Sequence, residues 1–242
     1  MKPILMKAGK WLLNALLPRT CAHCGLDLHY LGEDPLCAPC AGRLELLPDL
    51  HCRRCGLPLP SGGASCRDCR GGAARSLDLA RSAFVFNPEL RSLVHALKYK
   101  AREDLAPFLA ARMAAALERF PELGPYTFCV GVPLHRSRLR ERGFNQAGLL
   151  AAALAARANL FNLEGAAGRA RNTPSQTSLS KPERRTNVAG AFKVLTPELV
   201  KGRKILLIDD VATTLATLEE LAAELKKAGA KAVAAFTLAR EP

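Results

Sequence analysis

Apolar residues recur along this chain with two periods, and the stretches where neither holds are as informative as those where one does. Leu79–Phe86 reads as a strand, Glu89–Lys98 and Leu105–Phe120 as helices. Thr127–Val132 is an apolar run suited to a buried parallel strand, which Pro133 ends. Gln146–Arg157 predicts an Ala/Leu-rich helix. Beyond it come a strand near Ala191–Val194, a buried strand over Lys204–Ile208, a helix over Thr217–Ala228 and a last strand over Ala232–Leu238. Strands alternating with helices predict an α/β domain with a mostly parallel sheet covered on both faces. Residues 165–190 lose the pattern to Arg, Asn, Ser, Thr and Gly, with Pro174 and Pro182 as breakers. A connection of that length inside a compact domain is more often functional than idle.

The pattern also fails at the other end, where residues 21–69 are short on long apolar periods and rich in Cys, Gly and Pro. Eight of the nine cysteines stand there in four Cys-x-x-Cys pairs: Cys21/Cys24, Cys37/Cys40, Cys52/Cys55 and Cys66/Cys69. Gaps of 12, 11 and 10 residues separate the pairs, and only Cys129 stands apart. A tight two-residue turn aims both thiolates at one ion, so this spacing suits zinc. Thioredoxin-like redox motifs use a single pair, and secreted disulfide scaffolds seldom space cysteines so evenly. A segment this small buries little core, so the metal must supply folding free energy. Two structural zinc ions are expected. Sequential sites (Cys21, Cys24, Cys37, Cys40, then Cys52, Cys55, Cys66, Cys69) close shorter loops than an interleaved cross-brace and are favoured for that reason.

Arg70–Ser76 reads as a linker. The expected organisation is therefore an amphipathic helix over 1–20, a double zinc-binding module over 21–75 and the α/β domain over 76–242. In the first segment Ile4, Leu5, Ala8, Trp11, Leu12, Ala15 and Leu16 share one helical face, with Lys7, Lys10 and Asn14 opposite. Such a helix is too short to span a bilayer. It packs on the protein's own core or, with Trp11 as anchor, makes a peripheral contact with anionic lipid. With no export signal and thiols committed to metal, a cytoplasmic protein is expected. Composition adds direction: 35 Lys and Arg against 22 Asp and Glu give a net charge of +13, which favours anionic partners.

One segment carries chemistry. Ile205–Ile208 is a buried strand whose carboxyl end delivers Asp209 and Asp210, followed by the hydroxyl-rich turn Ala212-Thr213-Thr214-Leu215-Ala216-Thr217 and a helix start. Ligands of open α/β sheets bind beyond the carboxyl ends of strands. Amides and hydroxyls at a helix N-terminus cradle phosphate. Carboxylates beside such a cradle suit a sugar phosphate. The plainer reading is two exposed acids followed by a helix cap.

The Asp209–Thr217 segment resembles the phosphoribosyl pyrophosphate (PRPP) motif of type I phosphoribosyltransferases, and the whole chain resembles the ComF family of competence-associated, phosphoribosyltransferase-like proteins. Leu17-Pro18 before Cys21, the later cysteine pairs, Leu97-Lys98-Tyr99, Val132-Pro133-Leu134-His135 and Arg142-Gly143-Phe144-Asn145-Gln146 carry that resemblance. So do Thr173-x-Ser175-Gln176, Arg184-x-x-Asn187-Val188 and Gly190-Ala191-Phe192. It implies a type I phosphoribosyltransferase-like fold with an N-terminal zinc ribbon module. It also implies PRPP binding, with Asp209 and Asp210 on the ribose hydroxyls, helped by Mg²⁺, and residues 212–217 on the 5′-phosphate. Val132 and Pro133 would form the pyrophosphate loop. Arg171, Lys181, Arg184 and Arg185 would lie on a flexible loop that neutralises pyrophosphate, or be a solvated basic loop. Arg142 and Asn145 have either a ligand role or a structural one at the start of a helix. Leu215 departs from the motif, which has Gly there: a leucine at φ > 0 costs of order 1–2 kcal/mol and is placed to crowd the phosphate. Ala101, after Lys98-Tyr99, replaces a second family glycine.

Three functions follow. The resemblance implies an accessory factor of DNA uptake that meets the uptake machinery and binds single-stranded DNA weakly through charge. An active phosphoribosyltransferase would act on an amine or base that no readable element identifies. A zinc-dependent interaction adaptor would have a decayed site.

Overall fold

The computed structural model describes residues 19–29, 32, 34–71, 75–173 and 181–242, without the side chains of residues 181, 182, 184 and 185. Nearly all of the helix expected over residues 1–20 lies outside the described residues, as do residues 72–74 of the linker.

Five parallel strands form the central sheet: β1 (Ala80–Val85), β2 (Phe128–Gly131), β3 (Phe161–Asn162), β6 (Lys204–Ala212) and β7 (Ala232–Arg240). Their order across the sheet is β1-β7-β6-β2-β3, with Val130 level with Leu207 and Ile208 level with Phe236. Strand β6 is central and covered on both faces, which is why Ile205–Ile208 are all buried without alternation. Leu206, Ile208, Phe236 and Leu238 pack beneath α3 (Pro88–Tyr99), α4 (Leu105–Leu117) and α6 (Gln146–Ala158). Ile205, Leu207, Val233 and Ala235 meet Leu218, Leu221 and Leu225 of α9 (Ala216–Lys227) on the other face. Asn87 starts α3 by accepting from the Leu90 N–H, with Pro88 as the first helical residue.

Two sequence expectations need correction. Residues near 191–194 form a strand, β5 (Phe192–Val194), but it pairs antiparallel with β4 (Ala167–Arg169) in a separate ribbon outside the main sheet. Within residues 165–190, where composition predicted no regular element, the described residues include β4 and a helix, α7 (Lys181–Val188). Two further short helices, α5 (Arg136–Arg142) and α8 (Pro197–Val200), were not foreseen.

The cysteine-rich segment, which holds the short helices α1 (Ala38–Ala41) and α2 (Arg67–Arg70), is joined to the sheet rather than tethered beside it. Leu47 N–H donates to the Ala83 carbonyl and Val85 N–H to that of Glu45, so residues 45–47 cover the open edge of β1. Ala80 N–H donates to the Arg54 carbonyl, and the buried Arg81 side chain reaches the Arg53 carbonyl. Cys21, Cys37, Cys40 and Leu47 belong to the same apolar cluster as Leu90, Leu93 and Phe84.

Candidate functional site

Both groups of four cysteines are brought together in the sequential arrangement: Cys21, Cys24, Cys37 and Cys40 in one, Cys52, Cys55, Cys66 and Cys69 in the other, with all sulfurs of a group within 4.8 Å of one another. The Sγ atoms of Cys24 and Cys37 are 3.7 Å apart, and those of Cys55 and Cys66 are 3.5 Å apart. A tetrahedral zinc with Zn–S bonds of about 2.3 Å has S···S edges of about 3.8 Å, so the donor set fits. Burial raises the Cys21 thiol, yet the N–H groups of Cys24, Cys37 and His23 outweigh it and bring Cys21 down to about 6. Cys52 is lowered to about 6 in the same way, against its burial, by the N–H groups of Cys55, Cys66 and Arg54. Burial and the neighbouring sulfurs instead push Cys40 up to about 12. Cys21 and Cys52 are thus the cage thiols most inclined to the thiolate form that zinc binds.

The second site lies at the carboxyl end of β6, in a pocket of about 320 Å³ that includes Val132, Pro133, Asp209, Asp210, Thr213 and Thr217 in its lining. The strand continues through both aspartates to Ala212, four residues beyond the expected Ile208. Asp210 is buried, its Oδ2 2.6 Å from Lys98 Nζ at the end of α3 and its Oδ1 accepting from Val211 N–H at 2.8 Å. Burial opposes the Lys98 charge, but the Asp210 carboxylate more than restores it and raises the ammonium. Asp209 accepts from the Asp210 N–H through Oδ1. Burial, then the Asp210 charge, push Asp209 up to about 7, against the pull of Lys98 and Arg169. The pair is thus unequal: both line the pocket, but Asp210 is buried and paired with Lys98, and Asp209 is the less buried of the two.

The turn after β6 leaves several of its amides outside the backbone hydrogen bonding of the described residues. Among the described residues, no acceptor takes the backbone N–H groups of Thr213, Thr214 or Leu215. The buried Arg240 guanidinium holds the carbonyls of Ala212 and Thr213 from the side of β7. Leu215 adopts φ 64°, ψ 5°, the left-handed conformation that a glycine would supply. Its side chain is 4% exposed, packs in the apolar cluster with Leu218 and Leu221, and is not among the pocket's lining residues. Ala216 opens α9, and its N–H reaches Thr214 Oγ1 at 3.4 Å. Ala101 is also left-handed, at φ 49°.

Val132 and Pro133 face the aspartates because Gly131 lets α6 approach: a Cβ there would lie 2.6 Å from the Ala147 carbonyl oxygen. Asn145 has the structural role, capping α6 through Ala147 N–H and donating to the Val132 carbonyl at 3.0 Å. Arg142 donates to the buried Gln146 and lies 5.4 Å over the Tyr99 ring. Of the loop cations, Arg171 donates to the Ala189 carbonyl and is not among the pocket's lining residues. The side chains of Lys181, Arg184 and Arg185 lie outside the described residues.

Arg142, singled out from the sequence, lines the pocket; sequence reasoning missed the other three cations there, Lys98, Arg138 and Arg169. Thr173 sets two of them side by side, its carbonyl accepting from Arg138 at 3.1 Å and its hydroxyl from Arg169. Burial, then the Arg138 charge, lower Arg169. Lys98 was quoted only as part of a motif. The available signal for Arg138 was its place one helical turn after the Val132-Pro133 loop.

A parallel sheet ending in a carboxylate pair and an open phosphate cradle, with two Cys₄ cages docked on its edge, defines the class: a phosphoribosyltransferase-type domain joined to a double zinc ribbon. Comparison agrees, since residues 140–242 match the phosphoribosyl transferase domain family and residues 12–70 the double zinc ribbon domain family. The chain is 32% identical to the DNA utilization protein YhgH of Escherichia coli K12, over 93% of this chain and 98% of that one. Competence protein F of Haemophilus influenzae is 29% identical over 91% of this chain and 96% of its own length. For competence protein ComFC of Bacillus subtilis the identity is 29%, over 86% and 85%. The chain belongs to the ComF family.

Proposed function

We propose that this protein is a cytoplasmic accessory factor of DNA uptake and use whose phosphoribosyltransferase-type pocket binds PRPP with Mg²⁺. The observation that carries this reading is the trio of backbone N–H groups at Thr213, Thr214 and Leu215 that have no acceptor among the described residues, a few residues from Asp209. Together they offer a phosphate cradle and an acceptor for ribose hydroxyls. Arg138 and Arg169 would neutralise pyrophosphate oxygens, and Asp209 would hold the ribose and its Mg²⁺. The relatives' names, which speak of competence and DNA utilization, support the cellular role. Among the described residues no helix is long and apolar enough to cross a membrane. The net charge of +13 supports weak, salt-sensitive contact with single-stranded DNA.

Calorimetric titration of PRPP and Mg²⁺ into the zinc-loaded protein tests the pocket. Saturable binding is expected, abolished in Asp209→Asn. No heat from the wild type, or equal binding by Asp209→Asn, would overturn the assignment.

A further inference from the structure

Two motifs singled out in the sequence, Leu97-Lys98-Tyr99 and Arg142-Gly143-Phe144-Asn145-Gln146, reach the carboxylate pocket's lining through Lys98, Tyr99, Arg142 and Gln146, and of these only Lys98 pairs with an aspartate there. They converge on a second, larger cavity of about 780 Å³, which shares Lys98, Tyr99, Arg138 and Arg142 with the first and opens outward along α5. Lys98 is already paired with Asp210. The charge facing a ligand is two guanidiniums, Arg142 and Arg138, the latter shared with the proposed PRPP site, against the carboxylate of Glu141. Beside them Tyr99 is 65% exposed, although only 5% of this chain is aromatic. Its ring is held in place: His95, one turn earlier on α3, lies 4.9 Å from it centroid to centroid, and the Arg142 guanidinium is 5.4 Å from its centroid. On α5 the exposed Arg136 and Arg140 continue the positive surface away from the cavity.

A fixed aromatic face next to paired guanidiniums matches a planar base joined to a phosphate. The outward run of arginines matches further phosphates in series. We propose that this cavity binds one nucleotide of a single DNA strand, its base against Tyr99 and its phosphate on Arg138 and Arg142, with Arg136 and Arg140 on neighbouring phosphates. This rests on the DNA reading above and gives it a place and a base contact that net charge alone does not provide.

The test compares an oligothymidylate with an abasic oligomer of equal length and charge, by fluorescence anisotropy at low ionic strength with zinc-loaded protein. The wild type should bind the oligothymidylate roughly tenfold more tightly, within the contribution of one base stacked on an aromatic side chain. Tyr99→Phe should keep that preference and Tyr99→Ala should abolish it, binding both oligomers alike. Equal affinity of the wild type for both oligomers, or an unchanged preference in Tyr99→Ala, would overturn the proposal while leaving charge-driven DNA binding intact. Absence of binding to either oligomer would instead remove the DNA reading itself. Thymidine 5′-monophosphate binding as tightly as the strand, and losing affinity in Tyr99→Ala, would overturn the strand as ligand in favour of a free nucleotide.

Discussion

Leu215 and Ala101 hold the same left-handed conformation in opposite surroundings, so replacing each by glycine separates backbone strain from burial. A non-glycine residue in this conformation costs about 1–2 kcal/mol. At Ala101, which is exposed, a glycine removes one methyl group and that strain. Ala101→Gly should therefore stabilise by about 1 kcal/mol, a rise in Tm of about 2–4 °C for a chain of this size. At Leu215 the same relief meets the loss of a buried leucine, which costs about 2–5 kcal/mol where the cavity cannot collapse. Leu215→Gly should be destabilised by about 1–3 kcal/mol net, lowering Tm by roughly 3–10 °C.

Because the Leu215 side chain points into the core, it leaves the phosphate cradle clear. Leu215→Gly should accordingly change PRPP affinity by less than about tenfold, or 1.4 kcal/mol. Differential scanning calorimetry of both variants, with PRPP titration into each, reads all of this. A rise in Tm for Leu215→Gly would show that its side chain contributes no packing. A large gain in PRPP affinity would show that leucine does obstruct the cradle. Either result refutes the reasoning.

Other expectations follow from the same geometry. Lys98→Met should lower stability by about 3 kcal/mol, since it leaves Asp210 buried without its ammonium partner, while Lys98→Arg should recover part of the loss in chemical denaturation. Asp209, with its folded value raised to about 7, favours the folded state most while protonated, so ligand-free stability should fall as pH rises from about 4 to 7 and then level off. Affinity for PRPP and Mg²⁺ should climb over the upper part of that range as the carboxylate ionises; a flat calorimetric profile between pH 6 and 8 would contradict it. Elemental analysis should find two zinc ions per chain, one for each Cys₄ group.

Sequence and structure agree most where a spacing has only one physical use. Four cysteine pairs at near-equal intervals left chelation as the economical reading, and the shorter-loop argument chose the sequential pairing that the sulfurs adopt. The apolar run into Asp209-Asp210 could be read because a strand covered on both faces must be continuously apolar. Elements without an apolar stripe were lost. Helix α5, Arg-Ser-Arg-Leu-Arg-Glu-Arg, buries none of its residues and so gives periodicity nothing to detect. Strand β5 was seen as a strand, but three residues cannot reveal that their partner is a local ribbon rather than the main sheet. The basic loop was read by composition, which ranks Arg171 with Arg169. Only the backbone placement distinguishes them, directing Arg171 to Ala189 and Arg169 into the pocket.

The position of the zinc module bears on what chelation should do. His23, between Cys21 and Cys24, is 2.9 Å from Ser92 Oγ, and Glu89 lies 3.8 Å from the same ring and 3.5 Å from Arg43. Asn87 both caps α3 and donates to the Arg43 carbonyl. The first Cys₄ group thus grips the N-terminal turn of α3, and the last turn of that helix carries Lys98 to Asp210. A 12-residue helix is a stiff rod of about 18 Å, so freedom gained at one end is felt at the other. Residues 45–47, which protect the edge of β1, lie between the two Cys₄ groups, so chelation should loosen that cover as well. A module divided from the α/β domain at residue 75, as the linker composition implies, would loosen while that domain stayed intact; the shared helix and shared edge predict otherwise. Chelator should lower the Tm of the whole chain and weaken PRPP binding, with hydrogen exchange rising in α3 and β1 as well as in residues 21–69. Exchange confined to residues 21–69, with PRPP affinity unchanged, would show that the two parts are mechanically independent.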